Sequence, residues 1–271
     1  MNTPLSPAWI GVGLTDIGRV RKVNQDAFSV DNEHQLWVLA DGMGGHAGGE
    51  IASQITIEAI PAYFNSQRDN TSSSLIPAAT LETLLAQAIE SANQRIREQA
   101  SQNPEIKGMG TTVVALAMAR TADHSQAVIA HSGDSRAYVL RNTNLTLWTK
   151  DHTLMEERLD LNLITPDQVR THPLRHVLTK ALGIDPQAMP TVQTYELEPT
   201  DVLLLCSDGL TKMLTDQEIQ TLLLKDAPNL GHMCNRLVET ANRLGGEDNT
   251  TVVVIGADSG ATIVDLPSAI E

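Results

Sequence analysis

The stretch from Leu36 to Glu50, LWVLADGMGGHAGGE, drives five apolar residues into an aspartate and then strips the chain of side chains. Five of the eight residues from 42 to 49 are glycine, and His46 stands among them. The apolar run has the length of a buried strand. Glycine removes the Cβ that keeps other atoms away from a backbone. A strand ending on Asp41 and opening into such a loop therefore reads as a place where something approaches the main chain.

Working outward from this stretch, short β-type runs recur at WIGVGL, DAFSVD, QLWVLA, TTVVALAMA, AVIAHS, RAYVL, LTLW, TVQTYEL, VLLLC and TVVVIGA, about ten strands in all. Ile51, Ile55, Ala59 and Tyr63 predict a helix over 49–64, and the stripe Leu81, Leu84, Leu85, Ala88, Ile89, Ala92 and Ile96 predicts a second. The polar run NSQRDNTSSS between them reads as a surface loop. TDQE, from Thr215 to Glu218, has the spacing of a capping box and should open another helix, with a further one over about 229–244.

Strands come in consecutive groups, the two long helices follow one another, and β-α-β alternation is missing. That order points to the α+β class, with antiparallel sheets and segregated helices. About ten strands overfill an open sheet, so two stacked sheets with helices outside are expected: a four-layer α-β-β-α sandwich. Residues 150–185 interrupt the strands with short helical pieces and read as an insertion over one end of the sandwich, where a lid would sit.

Composition sets further limits. A chain of 271 residues with 41% hydrophobic content suffices for one large core. A net charge of -14 argues against nucleic acid or an anionic membrane as partner, since no basic run offsets it. Cys206 and Cys234 cannot make a disulfide framework, and the first residues lack a basic stretch followed by an apolar one. A reducing, cytoplasmic setting is expected. The longest apolar runs fall short of a bilayer span.

Asp41, Asp134 and Asp208 each follow an apolar strand, and Asp248 stands just before the last one. If strand exits and entry share one edge, four carboxylates converge there. Like charges so close need protons or cations, and all-oxygen ligands favour Mg2+ or Mn2+. Gly42 would let its own carbonyl reach an ion. Two ions about 4 Å apart can hold a water, acidify it and aim it at phosphorus. Arg21 offers a planar fork for phosphate oxygens, and His46 has a side chain suited to protonating a departing alkoxide.

Blander readings weigh against each residue taken alone. A single Asp-Gly after a strand is usually a turn, and a lone loop histidine usually does nothing. Arg19, Arg21 and Lys22 could be a solvated cluster. His172 and His176 have the spacing of two ligands on one helix face, but no third is near, so zinc is not expected. Cys206 ends an apolar strand and reads as core. GMGGHA fits a dinucleotide fingerprint, but no strand returns until about residue 111, so the unit that motif requires is missing. Neither a G-x-S-x-G elbow nor a Walker A loop is present.

RKVNQDAF, ADGMGGHAGGE, GMGTT, HSGDSRAY, HPLRHVLTKALG, CSDGLTKMLTDQEI and GGEDNTTVVV together resemble the PP2C-type (PPM) metal-dependent serine/threonine protein phosphatases in their compact bacterial form. The blocks run collinearly over about residues 10 to 257. The resemblance implies a single phosphatase domain over residues 1–257, two antiparallel sheets flanked by antiparallel helix pairs, and a metal centre at one end. Residues 258–271 lie beyond it as a tail. It implies that Asp41 bridges two core ions, that the Gly42 carbonyl binds the second, and that Asp208 and Asp248 bind the first. Asp134 matches a third, weaker site that Asp208 can share, and Asp26 an acidic position acting through water. Arg21 matches the phosphate-binding arginine. His46 is the candidate acid, although animal members place histidine directly after Asp-Gly. Gln25 replaces their metal-proximal glutamate. The expected enzyme is a monomeric phosphoprotein phosphatase. Its flap carries the acidic run MEERLD and should disfavour strongly acidic phosphopeptides. A small-molecule phosphomonoesterase and a catalytically silent binding module are the alternatives.

Overall fold

The computed structural model describes residues 8–44, 48–68, 76–120 and 124–258. His46, residues 69–74 of the polar run and tail residues 259–271 lie outside the described residues. The strands are β1 (Trp9–Asp16), β2 (Asp26–Asp31), β3 (Leu36–Met43), β4 (Gly110–Thr111), β5 (Val113–Arg120) and β6 (Ser125–Ser132). They continue as β7 (Arg136–Arg141), β8 (Asn144–Leu147), β9 (Thr191–Leu197), β10 (Val202–Cys206) and β11 (Thr250–Ala257). One antiparallel sheet has the order β1-β11-β10-β7-β8 and the other β2-β3-β5-β6-β9, with β4 paired to β3.

Each sheet is covered on both faces, which explains why its central strands read as unbroken apolar runs rather than alternating ones. On β3, Leu36 and Val38 face the helices α1 (Gly48–Arg68) and α2 (Ala78–Gln102), while Trp37 and Leu39 face the opposite sheet. On β10, Leu203 and Leu205 point between the sheets, while Leu204 and Cys206 meet the helices α6 (Asp216–Asp226) and α7 (Leu230–Leu244). Successive side chains point to opposite faces, so a strand with two buried faces needs apolar residues at every position.

Several sequence expectations are corrected in detail. Among the described residues eleven strands form rather than about ten, because the run at TTVVALAMA breaks at Thr112, whose N–H donates to the Asp41 carbonyl. Residues 65–68 of the polar run close α1 instead of looping. β3 continues through Asp41 and Gly42 to Met43, so Asp41 lies within the strand. The flap holds two short helices, α3 (Leu154–Asp160) and α4 (Pro166–Thr171). His172 ends α4 in extended conformation, so His172 and His176 do not share a helix face. Pro173 follows, and the residue before a proline is driven out of the α region. The capping box at Thr215 and Glu218 is present at the start of α6. Among the described residues no helix is long and apolar enough to cross a membrane.

Leu39 is fully buried between the sheets. Leu39→Ala should cost about 3 kcal/mol by the usual large-to-small penalty, read as a lower urea midpoint with an unchanged slope.

Candidate active site

Antiparallel pairing brings the acids together. Asp26 opens β2 and stands directly opposite Asp41 on β3. In the other sheet, Cys206 is opposite Val252, so Asp208, two residues past β10, and Asp248, two before β11, leave from the same end. Asp134 sits in the turn from β6 to β7. Arg21, Asp41, Gly42, Asp134, Asp208 and Asp248 line one cavity of about 640 Å3.

Asp26 joins the two sheets at this edge. One of its oxygens accepts hydrogen bonds from Ser207 Oγ at 2.7 Å and from Thr251 Oγ1 at 2.8 Å, both from the opposite sheet. Asn249 reinforces the seam: its Oδ1 accepts from the Gln25 N–H at 2.9 Å, and its amide donates to the carbonyls of Ile17 and Val23. Gly42 lies so close to this layer that a Cβ there would collide with the carbonyls of Gly49 and Gln25.

Two cations complete the cluster. Arg21 grips Asp248 with a fork, Nε to Oδ1 at 2.8 Å and Nη2 to Oδ2 at 2.9 Å. Lys212 lies 2.5 Å from Asp208 Oδ2 and 2.8 Å from Asp248 Oδ2. Sequence reasoning missed Lys212. The available signal was its i,i+4 spacing from Asp208 on α5 (Asp208–Met213), a short helix that the apolar pattern did not reveal. It missed His176 as well, which lies on the cavity wall.

The electrostatics follow burial. Burial, with Asp26, Asp208 and Asp134 adding like charge, pushes Asp41 well above the usual carboxylate range. Burial raises Asp26 to about 6 despite its two hydroxyl donors. Burial and the charge of Asp208 raise Asp134 to about 7. Asp248 is only half-buried, and Lys212 and Arg21 outweigh its desolvation and hold it below the usual range.

These residues suit a hard cation. Asp208 Oδ1 is buried with no hydrogen-bond partner among the described residues. Asp26, Asp41 and Asp134 are oxygen donors that burial makes reluctant to ionise unaided, which is the condition a divalent ion relieves. Among the described residues no three acids, histidines or cysteines stand together in a ready-made metal cluster. The Lys212 ammonium lies between Asp208 and Asp248 instead. The structure therefore brings Asp26, Asp41, Asp134, Asp208, Asp248, Gly42 and Arg21 to one edge.

This architecture matches known proteins. The family model "Protein phosphatase 2C" matches residues 18–246. The serine/threonine phosphatase stp of Listeria welshimeri is 36% identical, over 89% of this chain and 93% of its own. The crystal structure of the serine/threonine phosphatase Stp1 from Staphylococcus aureus superposes with a TM-score of 0.82 at 33% identity, covering 94% of this chain and 97% of that one. The catalytic domain of the serine/threonine protein phosphatase PstP, solved in complex with two manganese ions, gives a TM-score of 0.74 at 34% identity, over 92% and 97% of the two chains. The chain belongs to the protein phosphatase 2C family.

The raised acids predict a pH signature. Asp26 and Asp134 hold protons more tightly folded than unfolded, so the stability they contribute is present below their ordinary pKa and lost as pH rises through about 6 and about 7. In chelator, the melting temperature should fall by roughly 5 °C or more between pH 5 and pH 8. Added Mn2+ should stabilise little at pH 5 and strongly at pH 8, because ligands must be deprotonated to bind. A chelated protein whose melting temperature rises over that range would contradict this electrostatic account.

Proposed function

We propose that the protein hydrolyses phosphoserine and phosphothreonine in proteins by direct attack of water on phosphorus, without a phosphoenzyme, at this carboxylate edge with two core Mg2+ or Mn2+ ions. The class, a protein-serine/threonine phosphatase, comes with the family; phosphorylated proteins are its substrates. The observation that carries the mechanism is the convergence of Asp26, Asp41, Asp134, Asp208 and Asp248 on one edge of two sheets, with a buried Asp208 oxygen that has no hydrogen-bond partner among the described residues. The two manganese ions of the PstP catalytic domain support the same cofactor here.

Asp41 would bridge the ions, the Gly42 carbonyl would hold one, and Asp208 and Asp248 the other. Asp134 and Asp208 would share a weaker third ion. When bound, the ions supply an acidified water and neutralise phosphate charge. Ser207 and Thr251 fix the orientation of Asp26, which would act through water. With Nε and Nη2 committed to Asp248, Arg21 keeps its remaining N–H groups for phosphate oxygens. His46 is the proposed proton donor to the leaving alkoxide.

The proposed phosphatase domain spans residues 1–257, with the flap at about 150–185 and a tail at 258–271. A monomer that binds neither nucleic acid nor membrane, in the cytoplasm, accords with the net charge of -14.

Release of phosphate from phosphoserine and phosphothreonine peptides and from an aryl phosphate, with Mn2+ or with chelator, tests this reading. Metal-stimulated turnover of the peptides is expected. Turnover of the aryl phosphate alone would favour a small-molecule esterase, and none at all a binding module. Asp208→Ala should abolish activity, and Arg21→Lys should lower kcat/KM roughly a hundredfold, the scale for removing one well-placed donor.

The flap gives a separate prediction. Glu156 and Asp160 of its acidic run both face Lys150, which leaves Glu157 without that compensation. Neutralising Glu156, Glu157 and Asp160 together should lower KM for acidic phosphopeptides more than for neutral ones. An unchanged ratio would remove the flap from charge selection.

A further inference from the structure

The catalytic cavity does not end at the carboxylates. Thr179, Lys180, Ala181 and Asp185 form a wall of it and also wall a second groove of about 440 Å3. That groove runs from Ser132, at the end of β6, to Pro186, Ala188 and Met189. Met189 is 70% exposed, the most exposed of the large apolar side chains among the described residues. An unbranched thioether side chain adapts its shape to an apolar neighbour, and exposing it to water alone brings no gain.

The wall bearing Met189 is fixed before anything binds. Four hydrogen bonds tie it to α2. Asn93 Oδ1 accepts from the Gly183 N–H at 2.8 Å, and Glu90 Oε2 accepts from the Ala188 N–H at 2.7 Å. Asn93 Nδ2 and Arg97 Nη1 donate to the carbonyls of Asp185 and Ile184, each at 3.3 Å. Binding to a wall already ordered spares the entropy of ordering it.

On its other side the cavity adjoins a larger groove of about 840 Å3, under the flap, whose walls include Arg136, Asp151, Glu156 and Arg175. The two extensions thus differ in character: the larger is walled by charged side chains, while the smaller sets Ala181, Pro186, Ala188 and Met189 together beside Lys180, Asp185 and Gln187. An extended peptide crossing the centre sets alternate side chains into such pockets.

We propose that the groove formed by Ala181, Pro186, Ala188 and Met189 is a specificity subsite for an aliphatic side chain of the phosphoprotein substrate, within a few residues of the phosphorylated one. The inference rests on the phosphatase reading and deepens it. The groove's continuity with the catalytic cavity identifies the occupant as the flank of the substrate chain.

Phosphothreonine peptides carrying Leu, Ser or Glu at each of three positions on either side of the phosphorylated residue, assayed with Mn2+, test it. In the wild type, Leu at one position should lower KM at least about fivefold relative to Ser, with kcat little changed, as expected for an apolar pocket that is partly open. Met189→Leu should keep that preference. Met189→Glu should erase it to within about twofold. All three proteins should hydrolyse an aryl phosphate at the same rate, because that substrate does not reach the groove. A flat leucine scan in a wild type that turns over aryl phosphate would overturn the groove alone, as would a preference that survives Met189→Glu. Absence of turnover on every substrate would overturn the phosphatase reading and the groove with it.

Discussion

The Asp26 carboxylate, buried where the two sheets meet and held by hydroxyls of Ser207 and Thr251, is the contact on which the site depends. Burying a charge away from water is costly unless partners replace the lost hydration. Here the partners come from the opposite sheet, so satisfying the acid aligns β2 with β10 and β11. That alignment also sets Asp41, opposite Asp26, beside Asp208 and Asp248. The proton affinity of Asp26, raised to about 6, shows that two hydroxyls do not fully replace water. A bound cation would complete the compensation.

The surroundings keep that edge in place. Strands buried on both faces leave little freedom to slide, because a one-residue slip would exchange every side chain between two cores. Asn249 ties the loops at residues 17 and 23 to the start of β11, and the Arg21 fork on Asp248 then spans the same seam. The asymmetry of the cavity follows from what frames it. One flank is the flap with its mixed charges, and the other is the segment 183–189 that α2 holds through Glu90, Asn93 and Arg97. The carboxylate edge and the segment 183–189 are thereby held by different contacts, the first across the sheets and the second from α2.

Much of this was legible from residue order. The unbroken apolar runs, the missing β-α-β alternation and the helical stripe from Leu81 to Ile96 specified stacked antiparallel sheets with helices outside, because burial on each face dictates residue type position by position. Asp41, Asp134, Asp208 and Asp248 stood out because a charge beside an apolar strand is conspicuous. Asp26 did not, since it begins a strand of mixed polarity and only the family resemblance marked it. Lys212 was hidden because a helix of six residues leaves no periodic trace. The apparent helix across His172 and His176 failed because Pro173 forbids it locally, a signal that was present but outweighed by spacing.

Residue order was enough for the layers, the candidate acids and the glycines that admit a close approach, since each follows from side-chain size, polarity and local backbone preference. Long-range packing brings Arg21 and Lys212 onto Asp248, carries Asp26 across the sheets, and sets Met189 against a groove opening from the carboxylate cavity. The physical reason is that these are contacts between residues far apart in the chain, set by strand register and sheet stacking. A linear pattern records which face a residue takes but not which distant partner meets it there.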